Sequence, residues 1–142
     1  MKKFEIKTDD LILHGSIFEP SNRPKGVVQI LHGMCEHKER YYDFMKYLSD
    51  NGYIAVIHDH RGHGESINDI YKFGYFGEDE DILTKDAYRV TKYIKDKYKG
   101  LNLYLFGHSM GSLVARRYIS FYDDEIKKLY FVELLHIILY QV

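Results

Sequence analysis

The sequence predicts an α/β fold: a mostly parallel sheet with helices on both faces and an N-terminal hairpin. Two observations carry that expectation. VVQILH (27–32), YIAVIHD (53–59) and LNLYLF (101–106) are nearly continuous apolar runs, the pattern of strands covered on both faces. Each precedes an amphipathic stretch, and strand–helix alternation with short connections gives parallel strands joined by right-handed crossovers.

The elements follow in chain order. Residues 4–8 and 11–18 pair as the hairpin about Asp9-Asp10, and RPKG (23–26) turns the chain into the first buried strand. In RYYDFMKYLSDNG, Tyr41, Phe44, Met45 and Leu48 share one helical face, and Gly52 is placed to stop the helix. After the second buried strand, the polar, glycine-rich stretch from Arg61 to Glu80 is long enough to be a functional loop. Leu83, Ala87, Val90, Ile94 and Tyr98 define a second helix ending near Gly100. SLVARRYISFY (112–122) is the third helix, and IKKLY opens a further strand.

Composition narrows the classes of function. With 142 residues, 45% apolar and 29% charged, the chain fits one domain able to bury a core. A formal net charge of −1, with lysines scattered among acids, gives no electrostatic footprint for nucleic acid or an anionic membrane. The single cysteine, Cys35, excludes a disulfide-built scaffold. MKKFEIKTDDL lacks the apolar core of an export signal, and LYFVELLHIILYQV is too short to span a bilayer and carries Glu133 and His136. The expected location is the cytoplasm.

The motifs fall at the carboxyl ends of the predicted strands, where open α/β sheets bind ligands. Gly107-His108-Ser109-Met110-Gly111 fits G-x-S-x-G, which sets a serine on a sharp strand-to-helix turn with small residues on either side. A helix N-terminus at that point stabilises developing negative charge. A plain glycine-rich turn containing a serine is the structural alternative. His32-Gly33-Met34 ends the first buried strand, where this architecture supplies one backbone N–H to an oxyanion hole; the residue after the nucleophile supplies the other. The expected donors are therefore the Met34 and Met110 amides. HDHRGHGES (58–66) interleaves His58, His60 and His63 with charged residues, but without a second ligand cluster at metal-site spacing. Asp59 and Arg61 are expected to brace that loop, with Gly62 and Gly64 supplying its turns. His32 and His108 read as loop-fixing hydrogen-bonders, and Cys35 as an inert or merely modifiable thiol.

LHGMCEHKERY, HDHRGHGES and LFGHSMGSLVARRY, in this order and spacing, resemble the monoacylglycerol lipase and lysophospholipase branch of the α/β-hydrolases, also described as serine aminopeptidase S33-like. The resemblance covers most of residues 10–130. It implies Ser109 as nucleophile, the Met34 and Met110 amides as oxyanion hole, and a serine hydrolase acting on carboxylic esters such as monoacylglycerols or lysophospholipids. It implies no metal and no cofactor.

A nucleophilic serine needs a histidine oriented by a carboxylate, in chain order Ser, acid, His for this fold. After Ser109 the acids are Asp123, Asp124, Glu125 and Glu133, and the only histidine is His136. None falls on a suitable loop, and the upstream histidines have no evident carboxylate partner. The triad acid and histidine are thus not found in this chain. Residues 1–130 read as the N-terminal half of an α/β-hydrolase domain, and 131–142 as an off-pattern tail. Such a half-fold is expected to self-associate through its exposed sheet edge. The alternatives are a non-catalytic remnant or interaction module that keeps the elbow, and a metal-dependent hydrolase built on the histidine-rich loop.

Overall fold

The computed structural model describes residues 1–132. Strands β1 (Lys2–Lys7) and β2 (Ile12–Phe18) form the antiparallel hairpin. Thr8 closes its turn, donating from both N–H (2.8 Å) and hydroxyl (3.0 Å) to the Leu11 carbonyl. β2 then pairs antiparallel with β4 (Ile54–His58), and from there the sheet is parallel. β3 (Val27–Leu31) lies between β4 and β5 (Leu103–His108), and β6 (Lys128–Val132) flanks β5, giving the order β1-β2-β4-β3-β5-β6.

Helices cover both faces. On one side α1 (Tyr42–Asp50) sets Met45, and the turn before it Tyr41, on Val28, Ile30, Ala55 and Ile57. On the other, α2 (Ile82–Lys97) buries Val90 and Ile94 against Leu13, Ile17, Val56 and Leu103, while α3 (Met110–Tyr122) places Val114, Ala115 and Tyr118 on Leu31 and Leu105. Each large aliphatic side chain buried here contributes roughly 1.5–3 kcal/mol. Among the described residues, no helix is long and apolar enough to cross a membrane.

Two boundaries at the elbow differ from the sequence reading. β5 continues through Gly107 and His108 instead of ending at 106, because β3 offers Leu31 opposite Gly107 and β6 offers Val132 opposite His108. α3 begins at Met110 rather than 112, so the whole reversal from strand to helix falls on Ser109. The helix after β3 starts later than expected, at Tyr42, behind a 3-10 turn over Lys38–Tyr41.

A buried polar chain ties the central strand to both helices of one face. Gln29 Nε2 donates to the Ala87 carbonyl (2.8 Å), Thr91 Oγ1 to Gln29 Oε1 (2.7 Å), and the Tyr118 hydroxyl to Thr91 Oγ1 (2.9 Å). Thr91 is the link, since its loss strands both neighbours. Thr91→Val should cost about 2–4 kcal/mol, whereas Tyr118→Phe, which removes one terminal donor, should cost about 1 kcal/mol. Urea unfolding of the two variants checks this; equal costs would mean that no connected chain exists.

Candidate active site

At the end of β5 the backbone of Ser109 is forced to φ 52°, ψ −119°, a region a side chain adopts only under strain. Hydrogen bonds hold it there. Ser109 N–H donates to the Val132 carbonyl (2.9 Å), and the Ser109 carbonyl accepts from the N–H (2.8 Å) and hydroxyl (2.6 Å) of Ser112. The flanking glycines are sterically required. A Cβ on Gly107 would lie 2.5 Å from the Gly111 carbonyl oxygen, and one on Gly111 would overlap the carbonyl of Leu31.

Facing the elbow is the loop after β3. The Cβ position of Gly33 lies only 3.2 Å from Ser109 Cβ, so backbone abuts serine with no side chain between them. Gly33 N–H donates to Glu36 Oε2 (2.9 Å) and Cys35 N–H to His63 Nε2 (3.3 Å), committing the amides on either side of Met34. Met110 is the first residue of α3, where N–H groups have no intrahelical acceptor. Gly33, Met34, Cys35, Arg40, His108 and Ser109 line a cleft of about 300 Å³. Ser109, Met34 and Met110 are thus brought together at one end of the sheet.

The loop after β4 supports this arrangement from beneath. Asp59, fully buried, accepts Lys38 N–H (2.7 Å) on Oδ1, and Lys38 Nζ (2.6 Å) and Glu65 N–H (2.9 Å) on Oδ2. Burial works against the Lys38 ammonium, but bonds to Asp59, Glu65 and Glu39 outweigh it and raise its pKa, so it stays charged. Arg61 braces the other side, donating Nε to Asp86 (2.7 Å) and Nη1 to Asp10 (2.8 Å). Gly62 and Gly64 take φ of +74° and +50°.

The histidines form a buried cluster. His32 Nε2 accepts the His60 N–H (2.9 Å) and its Nδ1 lies 2.7 Å from the Gly33 carbonyl, so the neutral ring donates from Nδ1. Burial pushes His32 down to about 4 and His58 to about 3, and His60 is also held well below its usual value by burial. Among the described residues, no group of three or more His, Cys, Asp or Glu is arranged to hold a metal ion.

Of the acids after Ser109, Asp123, Asp124 and Glu125 lie at the far end of α3, where Glu125 meets Lys95 and the Tyr88 hydroxyl. Glu133 and His136, and the tail from 133 on, lie outside the described residues. One expectation is corrected: an upstream histidine does have a carboxylate. His108 Nδ1 lies 3.1 Å from Glu36 Oε2 and 2.8 Å from the Tyr41 hydroxyl. The sequence reading also missed Lys38. The only signal for either was the dense charge of EHKERY directly after the proposed oxyanion residue.

The profile described as "Serine aminopeptidase, S33" matches residues 22–132. The chain belongs to this family. It is an α/β-hydrolase of the monoacylglycerol lipase and lysophospholipase-like branch. It is 32% identical over 107 residues to a monoglyceride lipase homolog of Monkeypox virus, covering 75% of this chain and 37% of that protein. It is 28% identical over 110 residues to human monoglyceride lipase, covering 78% and 35%. The chain therefore spans little more than a third of the length of these curated relatives. A thermostable carboxyl esterase from Bacillus coagulans superposes with a TM-score of 0.81 at 27% identity, over 92% of this chain and 43% of the other. A soluble variant of Saccharomyces cerevisiae monoglyceride lipase gives 0.79 at 25%, over the same shares. These relatives carry lipase and esterase names.

Two outcomes follow from the loop beneath the elbow. Lys38→Met leaves the Asp59 carboxylate buried without its cation and should cost about 3–5 kcal/mol in denaturant unfolding; a loss under 1 kcal/mol would show that the pair contributes no constraint. His32, His58 and His60 give a pH signature. Their folded pKa values are depressed, so the unfolded chain binds more protons below about pH 6.5 and stability falls with pH from there. Carboxylates with lowered pKa act only at lower pH, and the buried Asp86 carboxyl, whose pKa burial raises, acts in the opposite sense, so a drop between pH 6.5 and 5 reports the imidazoles. The unfolding midpoint should drop across it, and a flat profile would contradict neutral burial.

Proposed function

We propose that Ser109 is the nucleophile of a carboxylic ester hydrolase and that the Met34 and Met110 amides form its oxyanion hole. The observation that carries this reading is the strained backbone of Ser109, set at a helix N-terminus with the Gly33 backbone against its Cβ. The Ser109 oxygen attacks the ester carbonyl and gives up its proton, and the carbonyl oxygen becomes an oxyanion between the two amides. Collapse of this tetrahedral intermediate expels the alcohol, which takes a proton, leaving an acyl-serine that water hydrolyses to the acid and free Ser109. The helix dipole favours the same charge.

Monoacylglycerol- or lysophospholipid-like esters are the proposed substrates. The cleft at Ser109 adjoins a second space of about 340 Å³ that shares Glu36, Arg40 and His108 with it and is walled beyond them by Tyr41, Phe44 and Phe106, an apolar side for an acyl group beside a polar reaction centre. The lipase names of the relatives support the same class. The general base is not assigned to any residue from 110 to 132, a stretch with no histidine.

A fluorophosphonate probe tests the reading directly. Folded protein should be labelled covalently at Ser109, and Ser109→Ala should abolish labelling while keeping the fold. Without an activating histidine the reaction should be slow, because an oxyanion hole and binding alone give about 10³–10⁴-fold over water. No labelling of folded wild-type protein would favour the non-catalytic module.

A further inference from the structure

Glu36 stands where three parts of the site meet: the loop after β3, the entry to α1 and the end of β5. A single oxygen, Oε2, receives the Gly33 N–H (2.9 Å) and the Tyr41 hydroxyl (2.6 Å) and lies 3.1 Å from His108 Nδ1. Oε1 faces Arg40 Nε at 3.4 Å. Tyr41 has one hydroxyl hydrogen, and its short bond to the carboxylate takes it. His108 Nδ1, 2.8 Å from the same hydroxyl, must then carry a proton and donate to the Tyr41 and Glu36 oxygens.

We propose that Glu36 is a positioning residue for the oxyanion site, latching the Gly33–Met34 backbone against Ser109 by gathering three donors on one carboxylate oxygen. The proposal rests on Ser109 being the nucleophile. Glu36 acts through the backbone of its own loop and touches no reacting atom.

Three features support the latch. The Met34 peptide plane is held by His32 Nδ1 on the Gly33 carbonyl, and the planes on either side by Glu36 on the Gly33 N–H and His63 on the Cys35 N–H, so losing Glu36 frees the plane that precedes it and loosens the Met34 amide. The fit is tight, since a Cβ on Gly33 would lie 2.7 Å from Glu36 Oε2 and 3.3 Å from His108 Nδ1. The charge is also absorbed. A bare carboxylate beside an oxyanion hole would oppose the charge the hole must stabilise, but three donors and Arg40 neutralise this one. Burial raises the carboxyl pKa, yet bonds from Tyr41, the Gly33 amide and His108 outweigh it, so Glu36 remains ionised and accepting.

The test measures two quantities on the full chain: the second-order rate of fluorophosphonate labelling and the proton shift of the Gly33 amide. In wild-type protein that amide should resonate far downfield, as a charge-assisted bond requires. Glu36→Ala should move it upfield and slow labelling about 10²-fold, the cost of a misplaced catalytic group. Glu36→Gln, which keeps a neutral acceptor, should restore part of the shift and bring labelling within about tenfold of wild type. Should Glu36→Ala not fold, Tyr41→Phe replaces it; removing one donor should slow labelling severalfold at an unchanged melting temperature. Wild-type rate and shift in either variant overturn the latch, as does a Glu36→Gln protein as slow as Glu36→Ala. If wild-type protein is not labelled at all, the serine reading fails, and the Gly33 resonance alone decides whether the latch exists.

Discussion

The buried carboxylate of Asp59 is the constraint on which the site depends. It sits one residue past β4, yet its partners come from two different loops: Lys38, leading into α1, and Glu65, beyond the sharp turns at Gly62 and Gly64. Neither oxygen is left without a donor, and this makes the charge tolerable in the interior. The turn beneath is shaped to it, because a side chain at Gly64 would occupy the space of the carboxylate. A buried ion pair is weak evidence for net stability. Here its consequence is positional, since one charge fixes the path of the loop that lines the cleft and of the loop beneath it.

The sheet does the remaining alignment. β3 and β5 are neighbours, so the loop leaving one and the turn leaving the other emerge side by side, and Gly111 lets the start of α3 approach the Leu31 carbonyl closely. β6 completes the support by accepting the Ser109 N–H at Val132. Gln29, in the central strand, passes this order to the helices through Thr91 and Tyr118. Serine geometry is thus a property of three strands and a helix, not of the five-residue motif alone.

How much of this the sequence revealed follows from the range of each interaction. Continuous apolar runs disclosed β3, β4 and β5, and helical periodicity disclosed α1 and α2, because both signals are local. Ser109, Gly107 and Gly111 were readable as a motif because the steric demand falls on residues close in sequence. Glu36 and Lys38 were not. Their partners lie at His108, Asp59 and Glu65, and nothing local distinguishes a buried lysine from the exposed ones around it. The same limit hid the carboxylate of His108, which lies 72 residues away along the chain. The elbow boundaries were missed for a related reason: local propensity ends a strand before Gly107, whereas ladder partners on both sides extend it.

The distribution of backbone strain leads to the same place by a separate route. Among the described residues, only Cys35 and Ser109 take positive φ without being glycine, at 58° and 52°. Each such conformation costs on the order of 1 kcal/mol or more and persists only where surrounding contacts over-determine it. The two residues line the same cleft from opposite sides, one in the loop after β3 and the other at the elbow after β5. Each is held by a bond from its own amide, Cys35 to His63 and Ser109 to Val132. Random irregularity would scatter such positions over the Arg61–Glu80 loop, a long connection broken by one 3-10 turn at Ile70–Lys72, where the positive-φ residues are glycines. Concentration at one cleft means that two independent parts of the fold are being forced, at a cost in stability, to present backbone and side chain to a common point.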